Sequence, residues 1–282
     1  MADAEGWYGL WYADHYMPNT GDESFEPGDV YECWSMLPAV ACATSTIRLG
    51  SLVSPTSVHH PALLANRAAT IDHLSAGRMV LGLGAGWQIN EHTAYGIELE
   101  APGTRVSRFE ESIQIVRSLL DNARTDFHGA FYDMTDAPCD PKPVQSKLPI
   151  VVGTGSPRML RITARHAQEW NVWGSADVAR QRRADLVIAC ESVGVDPATL
   201  HTSVQALVRL TEDPAEIERV ASGGMAGRSM VGSNDRIVEE LGAYRGLGFD
   251  EFIVPDFSLG ATAAERMDAY RRFNEEIAPQ LP

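Results

Sequence analysis

Short apolar runs recur along this chain, and stretches with helical spacing lie between them. The runs are 9–13 (GLWYA), 47–53 (IRLGSLV), 79–84 (MVLGLG), 149–153 (PIVVG), 170–173 (WNVW), 204–210 (VQALVRL) and 252–255 (FIVP). None alternates cleanly between apolar and polar residues. A strand covered on both faces reads this way, because neither side meets water. The intervening helices fit 30–45, 61–76, 106–120, 157–168, 178–194, 214–222, 234–246 and 262–277. The clearest is 106–120, where Val106, Phe109, Ile113, Val116 and Leu120 form one apolar stripe. Pro61 opens the 61–76 segment at a first-turn position, and Gly77 follows it as a stop. Strands alternating with helices predict a parallel sheet. Two arrangements compete: the eight-stranded α/β barrel and the open doubly wound sheet. Seven runs leave a barrel one strand short, with the gap before Gly9. The Pro-rich stretch 135–149 reads as a loop into a strand. No repeat or composition break divides the chain, so residues 1–282 are expected to form one domain.

Charge and cysteine content narrow the function. With 23 Lys and Arg against 38 Asp and Glu, the formal net charge is -15. Such a surface repels phosphate backbones and anionic lipid, so no nucleic-acid or membrane partner is expected. An anionic ligand would need a local positive site. The four cysteines, Cys33, Cys42, Cys139 and Cys190, form no CxxC pair and have no His at metal-ligand spacing. Free thiols in a reducing cytoplasm are expected, and no metal site. The first residues, acidic and polar, do not read as a signal peptide, and no apolar run approaches the about 18 residues of a membrane span.

In a barrel, ligand groups gather where the strands end. Asp14-His15 follow the first run. Histidine is the side chain that trades protons near neutrality, and Asp14 is placed either to hold its tautomer or to meet a ligand. His59 and His60 precede Pro61 and read as helix-entry residues. GLGAGWQINE (82–91) is GxGxG rather than GxGxxG. No acid closes a following strand, which disfavours a nicotinamide site. Its glycines let the backbone pass close either to packed neighbours or to a flat ligand. GTGSP (153–157) turns a strand into a helix. Ser156 is placed as its N-cap, and the Gly155 and Ser156 amides offer an anion site, with Arg158 and Arg161 adding positive charge. No GxSxG elbow is present.

Four stretches together resemble the bacterial-luciferase-like monooxygenase superfamily, most closely its coenzyme F420-dependent branch. They are YADHY (12–16), IRLGSLVSPTSVHHPALLA (47–65), LSAGRMVLGLGAGWQINEH (74–92) and PIVVGTGSPRMLRITARHAQEWN (149–171). RFEESIQIVRSLL (108–120) and PKPVQ (141–145) extend the likeness over nearly the whole chain. The resemblance implies a (β/α)8 TIM barrel that lacks its first strand and most of its first helix ahead of MADAEG. It implies a cofactor ring lying beside Asp14 and His15, with His15 as the catalytic residue. A non-prolyl cis peptide backing that ring is expected at Leu52-Val53. Ala85, Gly86 and Asn90 are expected to flank the cofactor, and Gly155, Ser156 and Arg158 to hold its phosphate. Trp87 stands where the sugar-phosphate dehydrogenases of this branch carry a glutamate proton donor. Asn19 stands where they carry a tryptophan. Trp87 is therefore expected to wall an apolar pocket, with Trp173 a second pocket residue. The implied activity is hydride transfer between the deazaflavin C5 of F420 and a small organic substrate. One rival is an FMN-dependent monooxygenase fed reduced flavin by a separate reductase. Another is a non-catalytic or degenerate barrel. A homodimer is the expected assembly.

Overall fold

A computed structural model describes residues 2–281 of the chain. The chain divides into two compact units, Met1–Gly153 with His166–Gln168, and Thr154–Arg165 with Glu169–Pro282.

The first unit runs β1 (Gly9–Tyr12), α1 (Cys33–Ala43), β2 (Arg48–Ser51), β3 (Ser54–Pro55), α2 (Pro61–Leu74), β4 (Met79–Gly84), α3 (Ile89–Tyr95), α4 (Pro102–Asp121), β5 (Thr125–His128), β6 (Asp133–Ala137) and β7 (Ile150–Gly153). Its sheet has the order β1-β2-β4-β7, with β3 also on β4. Every pair is parallel, with Trp11 opposite Gly50, Gly50 opposite Val80 and Leu83 opposite Val152. The strands therefore end on one edge. Every residue of β4 is buried, as expected for a strand covered on both faces. The helices fit by their apolar stripes: Phe109, Ile113 and Val116 of α4 and Leu64 and Ala68 of α2 are wholly buried. Burying each such large side chain is worth about 1.5–3 kcal/mol. α2 starts with Pro61, whose missing N–H costs nothing there, and its N-cap His60 accepts from the Ala62 amide.

The second unit runs α5 (Pro157–His166), β8 (Glu169–Trp173), α6 (Ala176–Ser192), β9 (His201–Gln205), β10 (Leu207–Leu210), α7 (Pro214–Ala221), β11 (Ser229–Gly232), α8 (Asn234–Gly246), β12 (Glu251–Ile253) and α9 (Ala263–Arg272). β8, β9 and β12 form a parallel sheet in that order, and β10 pairs with β11 separately.

Several elements depart from the sequence expectation, among them the short strands β3 and β11, which were not expected. The run 204–210 is not one strand. It breaks at the buried Ala206, and its halves join different sheets. Residues 133–137, the first of them just ahead of the expected loop, form an antiparallel hairpin with 125–128. The Glu111 carboxylate organises that turn, accepting the amides of Ala130, Phe131 and Tyr132. α3 was not expected, and it matters most for the site. The four cysteines are free; Cys33, Cys139 and Cys190 are buried and Cys42 is exposed. Among the described residues, no helix is long and apolar enough to cross a membrane.

Candidate active site

Asp14, two residues past β1, is wholly buried. Its Oδ2 accepts three hydrogen bonds, from Ser54 Oγ at 2.5 Å, His59 Nε2 at 2.9 Å and Trp34 Nε1 at 2.9 Å. Its Oδ1 is equally buried and has no partner among the described residues. Burial alone would raise this carboxyl. The hydrogen bond and charge of His59, with the Ser54 and Trp34 bonds, outweigh it and hold the group below the usual carboxylate range. The donors come from separate elements. Trp34 stands in the first turn of α1, whose N-cap Glu32 accepts the Trp34 and Ser35 amides. Ser54 belongs to β3, and His59 lies just ahead of α2.

His59 corrects the helix-entry reading, which fits His60 alone. Its Nδ1 lies 3.5 Å from Arg67 Nη1. Its Nε2 carries the hydrogen given to Asp14. The Tyr16 hydroxyl is 3.4 Å from the same Nε2. Burial, then the charges of Asp14, Glu32 and Glu91, push the Tyr16 phenol well above its ordinary value.

His15 turns to Glu91 rather than to Asp14. Its Nδ1 is 3.1 Å from Glu91 Oε1, and Glu91 Oε2 accepts the Tyr16 amide at 3.1 Å. The His15 ring meets the Trp87 ring edge-on at 5.5 Å. The His15 side chain is 24% exposed and that of Glu91 2%. Trp87 is exposed.

Glu91 is set by α3, a short helix that buries Asn90, Glu91 and His92. Asn90 donates from Nδ2 to the Pro18 carbonyl at 2.7 Å and accepts the Glu91 amide at 3.0 Å. Gln88 donates to the Met17 carbonyl. His92 bridges the Gln88 carbonyl and the Ser57 hydroxyl. Asn90, expected beside a cofactor, thus uses Nδ2 to fasten the segment after β1 and Oδ1 within its own helix.

The Leu52–Val53 peptide is cis. The nearby glycines make room for its surroundings. A Cβ on Gly82 would strike the Ser51 carbonyl, one on Gly84 would sit 2.8 Å from Val53 Cγ2, and one on Gly153 3.4 Å from Val53. Gly86, at φ +89, faces Ser57 in the same way, and its carbonyl accepts from Arg105 at 2.6 Å. The glycine-rich run therefore serves close packing of 51–57. Ala85, Leu52 and Val53 are half-buried on this edge.

In the second unit, the Ser156 carbonyl accepts the Leu160 amide, as an N-cap residue does, and the Ser156 amide donates to Thr154 Oγ1 at 3.3 Å. Arg158 is exposed in the first turn of α5. Arg182 of α6, which sequence reasoning did not single out, donates to the Gly155 carbonyl at 3.1 Å. Its guanidinium lies where a side chain on residue 155 would go. Trp173 is half-buried at the end of β8. Among the described residues, no group of three or more His, Cys, Asp and Glu could hold a metal ion.

The residues after β1 fit a flat heterocycle bearing an N–H. A wholly buried carboxylate oxygen lacks only a donor, and a half-exposed imidazole follows it in the chain. Flavin and deazaflavin rings both carry such an N–H.

Comparison with known proteins gives the lineage. The luciferase-like monooxygenase family model matches residues 1–228. An F420-dependent glucose-6-phosphate dehydrogenase of Kineococcus radiotolerans is 33% identical over 166 residues, covering 58% of this chain and 48% of that protein. Over this match the chain spans about half of its relative's length. A protein of the same name from Microbacterium testaceum is 27% identical over 316 residues, covering 100% of this chain and 91% of the relative. An F420-dependent secondary alcohol dehydrogenase, solved with an F420-acetone adduct, superposes with a TM-score of 0.83 at 16% identity, covering 100% of this chain and 92% of that one. A monooxygenase from Streptomyces bottropensis superposes at 0.79 with 20% identity, covering 100% and 91%. Identities this low show the fold alone, the α/β fold of luciferase-like barrel enzymes. The match over residues 1–228 makes the chain a member of the luciferase-like monooxygenase family.

Proposed function

We propose that this protein is an F420-dependent oxidoreductase acting on a small apolar or aromatic substrate. The observation that carries the reading is the divided Asp14 carboxylate, with three donors on Oδ2 and none on the buried Oδ1. In this reading Oδ1 accepts the ring N–H of the cofactor. Leu52, Val53, Ala85 and Gly86 support the ring. Within the second unit, the Gly155 and Ser156 amides and Arg158 offer an anion site. The names of the Kineococcus and Microbacterium relatives favour F420 over FMN. Bound F420 supplies a carbon centre that accepts or gives hydride. The chain supplies position and proton handling. His15 takes or gives, at Nε2, the proton that accompanies the hydride. Trp87 gives the substrate side an apolar wall. Trp87 occupies the place of the glutamate that sugar-phosphate enzymes of this branch use, so a sugar phosphate is not the proposed substrate. A homodimer belongs to the same proposal.

The test is turnover by the parent and by His15→Ala, followed as loss of oxidised F420 with a panel of alcohols and with reduced F420 on carbonyl or activated-alkene acceptors. His15→Ala is expected to bind F420 within several-fold of the parent and to turn over about 10²–10⁴-fold more slowly, the usual worth of a positioned acid or base. Unchanged turnover would remove His15 from the mechanism.

A further inference from the structure

We propose that Glu91 is a positioning residue for His15, holding its imidazole in the Nδ1–H tautomer so that Nε2 faces the substrate. This rests on the reading of His15 as the group that moves the proton. It concerns a residue drawn from α3 and separated from His15 by 76 positions in the chain.

The Glu91 carboxylate is nearly inaccessible to water, and both its oxygens are used within the protein. Oε2 takes the Tyr16 backbone N–H, which can only donate. Oε1 faces His15 Nδ1 at 3.1 Å. A carboxylate only accepts, so the hydrogen of a neutral His15 lies on Nδ1 and the lone pair on Nε2. The Nδ1 side is closed by Glu91 and the Trp87 edge packs against the ring, while the side chain keeps 24% of its surface. A proton leaving the substrate bonds to Nε2, and its electron pair stays on the substrate. The imidazolium so formed lies against the Glu91 charge. In the reverse direction Nε2 returns the proton. Glu91 cannot swing away readily, because its own amide is tied to Asn90 and Asn90 is tied to Pro18.

Glu91→Gln separates this role from a packing role. The amide has the same shape but one acceptor. The Tyr16 N–H claims that oxygen, so the NH₂ faces Nδ1. Nδ1 must then accept, and the hydrogen moves to Nε2.

The experiment is a two-bond ¹H–¹⁵N correlation spectrum of protein with labelled histidine, at alkaline pH where imidazoles are neutral. The His15 signals are those missing from His15→Ala. The expected result is the Nδ1–H pattern in the parent and the Nε2–H pattern, or a mixture, in Glu91→Gln. Turnover of that variant is expected to fall at least about tenfold, the lower end of the loss when an orienting partner of a metal-bound histidine is removed, with F420 affinity within about twofold. An Nε2–H pattern in the parent overturns the proposal and needs no variant. An unchanged Nδ1–H pattern in Glu91→Gln also overturns it, even if turnover falls. Full turnover by His15→Ala instead overturns the reading of His15, while the tautomer spectra still decide what Glu91 does.

Discussion

Asp14 has two oxygens in opposite circumstances, and that asymmetry underlies the reading of the site. Three donors on Oδ2 make the carboxylate affordable in the core, since a buried charge without partners would neutralise. Asp14→Asn keeps the shape, removes the charge and weakens three hydrogen bonds, which is expected to cost about 1–3 kcal/mol at neutral pH. The folded carboxyl titrates below its ordinary value of 3.8, so its stabilisation is present above that value. It is lost as pH falls through the lower folded value. Urea unfolding of parent and variant should therefore show a gap at pH 7 that closes on acidification. A gap independent of pH would mean that the charge contributes nothing. Asp14 and His15 stood out in the sequence because an acid and a histidine end an apolar run. Their partners did not. His59 is 45 positions from Asp14, and Glu91 is 76 from His15, so only the fold brings them together.

Two segments build the site edge, and they were unequally legible. The turn from β2 to α2 carries the cis peptide and Ser54 and His59, and the glycines of β4 leave room for it. The sequence left open whether those glycines meet neighbours or a ligand; Gly82 and Gly84 meet Ser51 and Val53. Gly84→Ala is expected to destabilise the protein by about 1–3 kcal/mol, as overpacking does, and to displace Val53. Thermal unfolding would measure the first and a crystal structure of the variant the second. A variant as stable as the parent would show that Val53 moves aside freely. α3 was hidden because Ile, Asn, His, Thr and Tyr are middling helix formers and it spans only Ile89–Tyr95. Its contacts with Met17, Pro18 and Ser57 hold it, and no local pattern reports those. The split of 204–210 was hidden for a related reason. Ala206 is apolar and buried, so composition does not change where the chain leaves one sheet for another.

For the whole molecule, the alternation of buried runs and amphipathic helices is the part most readable from sequence, because burial on both faces leaves few residue choices. A net charge of -15 adds a constraint on any anionic cofactor, which must find its own positive contacts. Arg158, beside the Gly155 turn of the second unit, is the arginine proposed for such a contact. The most direct test of the central claim is a fluorescence titration of the purified 282-residue chain with F420 and, separately, with FMN. The account predicts micromolar F420 binding and much weaker FMN binding. Tighter binding of FMN, or binding of neither, would contradict it.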